Sequence, residues 1–182
     1  MPFTTRASSG YFADFKSLIP YLENEDWKYT FKHAGALLEA NPNDSSEMHA
    51  MMVYIRLFSG AGLVSQKKMS FKKLQVAILP LVGQKVMMSA HPYVKGEGCG
   101  LNCTGFEKDS LQWKAFTAAA NQAGTTILCM EHFELRKAPL PYKEKTFIRC
   151  GGILQGIELN PNESTIWILR LTVSDAFVRT TQ

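Results

Sequence analysis

The spacing of apolar and polar positions changes several times along the chain, and each change predicts an element. Trp27-Lys28-Tyr29-Thr30-Phe31-Lys32-His33 alternates with period two. That alternation predicts a half-buried strand continuing to Leu38, with three aromatics on one face and Lys28 and Lys32 on the other. Asn41-Pro42-Asn43-Asp44 breaks it, and Asp44 with Glu47 three residues on starts a helix striped by Met48, Met51, Met52, Ile55 and Phe58. Gly60 and Gly62 are expected to end that helix. A second helix is expected near Ser70, with Phe71, Leu74, Ile78 and Leu81 on one side, and Pro80 kinks or stops it.

Val86 to Val94 predicts a strand and Gly96 to Gly105 an exposed glycine-rich loop. Asp109 or Ser110 can cap a third helix through Ala123, which Gly124 stops. Thr125 to Lys137 predicts a strand, and Ala138-Pro139-Leu140-Pro141-Tyr142 a rigid loop. Thr146 to Leu159 and Thr165 to Val173 predict a hairpin, with Gly151, Gly152 and Gly156 bulging its first strand. The fold class expected is α+β: a single domain over 21–175 whose antiparallel sheet is packed by about three helices. Residues 1–20 are expected to be a flexible N-terminal arm and 176–182 a C-terminal tail.

Charge adds location to this picture. The net charge is +4, yet residues 1–60 are slightly acidic and the excess of lysine and arginine lies further on. Lys67, Lys68, Lys72 and Lys73 open straight into the apolar run from Leu74 to Val82. A basic doorstep on a short hydrophobic element suits contact with phosphate surfaces, whether lipid headgroups or nucleic acid. Arg136, Lys137, Lys143, Lys145 and Arg149, interrupted only by Glu144, form a second candidate phosphate-facing patch. No segment approaches the ~20 apolar residues of a membrane span, so membrane contact is expected to be peripheral.

Candidate chemistry is sparse. With no charged-then-apolar leader at the N-terminus, the four cysteines are expected to be unpaired thiols in a reducing compartment, and the sequons at Asn43, Asn102 and Asn162 to be incidental. The hydroxyl-rich opening residues admit a transit peptide as a second reading. Cys99-x-x-x-Cys103 with Cys129-x-x-His132 is the best metal candidate, but on a strand Cys129 and His132 point to opposite faces, so no metal is expected. A Cys–His catalytic pair is easy to imagine and nothing singles one out. Gly96-Glu97-Gly98-Cys99-Gly100 lacks the lysine and hydroxyl of a phosphate loop, and Glu131 and Glu134 sit on opposite strand faces. No enzyme, cofactor or small-molecule substrate is expected.

The order of elements (aromatic strand, apolar helix, basic helix, loop, strand-rich C-terminal half), with its methionine richness, resembles the matrix proteins of negative-strand RNA viruses, most closely those of plant-infecting rhabdoviruses. The resemblance covers most of residues 25–175 and carries no diagnostic motif. A Pro-Pro-x-Tyr budding motif is missing, Pro139-Leu140-Pro141-Tyr142 being the nearest string, and Tyr54-x-x-Leu57 matches another short budding pattern. It implies a virion protein beneath the envelope that self-associates, binds the viral nucleoprotein–RNA complex, and coats the anionic inner leaflet, with host cytoplasm, membrane periphery and nucleus as its other compartments. Lys67, Lys68, Lys72 and Lys73 would meet lipid or nucleocapsid, and Tyr11, Phe12 and Phe15 on the arm would dock on a neighbouring copy. The alternative is an RNA-binding factor, such as a viral silencing suppressor, using the same patches.

Overall fold

The computed structural model describes residues 9–96, 99–162 and 166–181. Four helices precede and pack against a seven-stranded sheet, so the fold is α+β. Helix α1 runs Ser9–Glu23, α2 Trp27–Ala40, α3 Glu47–Ser65 and α4 Phe71–Ile78, and a 3-10 turn at Leu79–Leu81 carries Pro80. The strands are β1 Lys85–Met87, β2 His91–Pro92, β3 Thr104–Asp109, β4 Gln112–Ala120, β5 Ile127–Leu135, β6 Phe147–Leu159 and β7 Trp167–Thr180.

Trp27 to Leu38, expected as a strand, is helix α2. The Asp26 carboxylate accepts the Tyr29 amide at 3.1 Å and caps it. Trp27, Phe31, Ala34 and Leu38 fall at helical spacing and are buried, whereas Tyr29 leaves that stripe and stacks between Tyr21 and His33. Helix α3 starts at Ser46, whose hydroxyl accepts the His49 amide, and Asp44 instead accepts the amide of Ser46. It runs through Gly60 and Gly62 rather than ending there. These glycines set how closely α2 approaches: a Cβ on Gly62 would collide with the Trp27 indole, and one on Gly60 with Phe31 and Leu74.

Residues expected as an arm are ordered from Ser9 onward. Helix α1 buries Tyr11 and Leu18 against its neighbours, and the Tyr11 hydroxyl lies 3.4 Å from His49 Nδ1. Residues 1–8 lie outside the described residues. The expected tail is the end of β7, with Ala176 buried and Thr180 paired to Ile148.

The expected third helix is a β-hairpin. Strands β3 and β4 pair through the tight turn at Ser110 and Leu111, and Ala115, Thr117 and Ala119 are buried at every second position. The β6–β7 hairpin is as expected, including register shifts after Gly151 and Leu154. Val86 to Val94 splits into β1 and β2.

Strand order is β1-β6-β7-β5-β4-β3, antiparallel except where β5 and β7 run parallel. Strand β2 pairs with β6, and the next residue, Tyr93, bridges to Thr104 at the start of β3. The sheet therefore curls until its two ends are linked. Helix α3 lies against β1, β5 and β7, and its Tyr54 reaches into the curl. The opposite sheet face carries His132, Thr172 and the Arg170–Glu158 ion pair.

Cysteine usage is also corrected in part. Cys99 and Cys103 are joined by a disulfide, while Cys129 and Cys150 are free and buried.

Candidate functional site

The basic doorstep is built by two helix ends. Leu63 and Val64 carbonyls accept the amides of Lys68 and Lys67, both at 2.9 Å, closing the C-terminus of α3, and Lys67 takes the left-handed position (φ 58°) at which glycine is usual. Three residues on, the Ser70 hydroxyl caps α4 by accepting the Lys73 amide at 3.3 Å. The Lys67 and Lys68 charges sit at the negative end of one helix dipole, a favourable place. Lys72 and Lys73 sit at the positive end of another, at a cost of about 0.3–1 kcal/mol each. All four lysines are exposed, and among the described residues none has an ion-pair partner.

Leu74 and Ile78 lock one face of α4 into the core, at 0% and 1% exposure. The outward face is not simply polar. Val76 is 71% exposed and Leu79 60%, with Val82 at the edge of the same surface. An unmatched tetralysine cluster thus continues into an exposed aliphatic ridge on an anchored element. Sequence periodicity pointed to the lysines and to the buried stripe. It missed Val76 and Leu79, whose outward placement follows from the burial of Leu74 and Ile78.

The second basic group is not assembled in the same way. Arg136 pairs with the Asp175 carboxylate at 3.1 Å, and Lys137, Lys143 and Lys145 are exposed on the connection between β5 and β6. Arg149 leaves them altogether: it points under the helices, with Nη1 3.5 Å from Met51 Sδ. Of the self-association residues, Tyr11 is buried and Phe15 packs on the core, leaving Phe12, 43% exposed with the Lys16 ammonium 4.5 Å above its ring.

The interior carries a row of polar groups, in which Glu131 is partnered by Tyr54 rather than by Glu134. Glu131 on β5 is buried, accepts the Tyr54 hydroxyl at 2.7 Å through Oε1, and leaves Oε2 without a partner. Burial raises its pKa to about 8, so it is protonated at neutral pH. Thr117 and Thr104 continue this row across β4 and β3, each with an unpartnered hydroxyl.

Ser89 Oγ lies 3.2 Å from His91 Nε2, and burial depresses the His91 pKa to about 4. Among the described residues no carboxylate orients the other ring nitrogen, so the third member of a nucleophile–base–acid relay is missing. Burial pushes the Cys129 and Cys150 thiols well up, away from the thiolate a nucleophile or ligand requires. Cys129 is buried and His132 exposed on the opposite sheet face, and the described residues contain no group of three metal-ligating side chains. No described helix is long and apolar enough to cross a membrane. Comparison with protein-family models, curated proteins and solved structures finds no match to the chain.

Proposed function

We propose that the chain is a non-enzymatic structural protein of the viral matrix kind, which docks an anionic membrane surface through α4. The observation that carries this is the coincidence, on one anchored helix, of four unpaired lysines with the exposed ridge of Val76 and Leu79. Each lysine near an anionic leaflet contributes about 1 kcal/mol, and buried aliphatic side chains add to it by leaving water. Four such charges together are worth on the order of a thousandfold in affinity at low salt. Self-association and binding of a nucleoprotein–RNA complex belong to the same proposal and rest on what is left of the resemblance in element order, the apolar helix, the basic helix and the strand-rich C-terminal half, its aromatic strand being helix α2.

The RNA-binding alternative uses the same lysines but leaves the ridge unexplained. Single-strand binders stack bases on aromatic rings, and α4 offers only the part-buried Phe71. Flotation with phosphatidylserine vesicles across a salt series tests the proposal, with fluorescence anisotropy on single-stranded RNA run beside it. Charge reversal of Lys67, Lys68, Lys72 and Lys73 to glutamate should abolish flotation without lowering Tm. Unchanged flotation removes α4 from the mechanism. Salt-steep RNA binding without vesicle binding would favour the RNA factor.

A further inference from the structure

Two cavities share Met87 and Arg149 as lining residues, on the side of the sheet covered by α1 and α3. One, of about 270 Å³, lies beside the end of β7, where Arg179 pairs with Glu47 and Thr180 and Thr181 form part of the wall. The other, of about 200 Å³, is an apolar well between α1 and α3, walled by Phe15, Ile19, Met51, Ile55 and Phe58. Neither is touched by the α4 lysines.

Arg149 lines both the well and the mouth. Its Nε is shielded from solvent and has no hydrogen-bond partner, and Nη1 touches only the weak acceptor Met51 Sδ. Glu47, the acid nearest in the mouth, is already taken by Arg179, and among the described residues no carboxylate pairs with Arg149. Desolvation is the sole cause of its lowered pKa, which agrees with a cation that no acid compensates. A shielded, unpaired donor is costly to a fold unless something supplies the acceptor. The complementary object has an anionic acceptor at the mouth and an apolar body in the well.

We propose that the two cavities together bind an acyl chain carrying an anionic head group, carboxylate or phosphate, with the head on Arg149 and the chain in the well under α1. Thr180 stands beside the head with its hydroxyl, while the Thr181 hydroxyl already donates to the Phe147 carbonyl at 3.3 Å. The small well limits the chain to medium length, since sites for larger ligands run to about 300–1,000 Å³. Helix α1 forms one wall, so occupancy also ties the N-terminal helix to α3.

The test is calorimetric titration of the full chain with octanoate, with octanol as the uncharged control and dihexanoyl phosphatidate as a lipid head-group probe. Expected is one site per chain, with octanoate at least tenfold tighter than octanol. Arg149→Met should erase that preference, and Ile19→Trp, which fills the well from a part-exposed position, should weaken every ligand. Phosphatidate binding tighter than octanoate assigns the site to membrane lipid; the reverse assigns it to a free fatty acid. Equal binding of octanoate and octanol to the unaltered protein overturns the proposal, as does undiminished octanoate binding by the folded Arg149→Met chain. The charge-reversed α4 chain must still bind octanoate, so this site and the membrane proposal fail separately.

Discussion

Replacing Glu131 by glutamine should flatten the pH dependence of stability on its alkaline side. Glu131 is the only buried acid among the described residues. Burial raises its pKa to about 8 from an ordinary 4.5, against the opposing effect of the Tyr54 hydroxyl that donates to it. Between those two pH values the folded chain keeps a proton that the unfolded chain releases. Stability is therefore fully present below about 4.5, falls as pH rises toward about 8, and levels off above it. At about 1.4 kcal/mol per pH unit, the interval amounts to on the order of 5 kcal/mol. That is a large share of the 5–15 kcal/mol typical of a domain. Glutamine keeps an oxygen for the Tyr54 hydroxyl and cannot ionise. Urea unfolding from pH 4 to 9.5 should show the two chains close together at pH 4 and the glutamine chain more stable by several kcal/mol at pH 9. The thiols of Cys129 and Cys150 and the Tyr54 phenol are raised first by burial and then by the Glu131 charge beside them, so in the glutamine chain they keep the burial effect and lose the second one, which widens the alkaline gap in the same direction. Parallel curves, with no gap opening as pH rises, would refute the reasoning.

Other substitutions probe separate parts of the structure. Gly62→Ala should cost about 1–3 kcal/mol by driving a methyl into the Trp27 indole, outweighing its gain in helix propensity, and calorimetric Tm would register it. Val76→Asp with Leu79→Asp should leave Tm nearly unchanged while abolishing vesicle flotation; retained flotation would show that lysines act alone. Reducing the Cys99–Cys103 disulfide should lower stability by no more than about 2 kcal/mol, because its loop is so short, and urea midpoints with and without reductant measure this. The depressed His91 pKa makes its contribution present above about 6.5 and lost as pH falls toward about 4, so His91→Asn should blunt the acid-side decline in urea midpoint.

What could be read along the chain was whatever local chemistry alone decides. The start of α4 at Ser70, the break at Pro80 and the β6–β7 hairpin with its glycine bulges rest on caps, ring closure and missing side chains. Trp27 to His33 satisfies period two and period 3.6 at once, and the deciding features lay outside it, in the Asp26 cap and in the continuation through Ala34 and Leu38. Residues 112–120 show the converse. Alanine favours helices, yet Ala115 and Ala119 are small enough for the crowded inside of a curled sheet, and the β5 partner decides the outcome. The lysine cluster needed only sequence adjacency to be noticed. Arg149 could not be separated from the lysines before it, because its aim under α1 depends on where β6 lies beneath helices more than 90 residues earlier in the chain.

The place of β7 governs how this protein comes into being. The last of the described strands in chain order occupies the middle of the sheet, between β6 and a parallel β5. Until Thr180 has left the ribosome, β4 and β5 have one open edge and β6 has another, and neither half can complete its hydrogen bonding. Helices α2 and α3 can associate early, but the sheet closes only after synthesis has passed its final strand. Premature termination anywhere before β7 should thus yield insoluble chain rather than a smaller folded product, and the hydrophobic edges waiting for β7 make chaperone cover part of the biogenesis of the molecule.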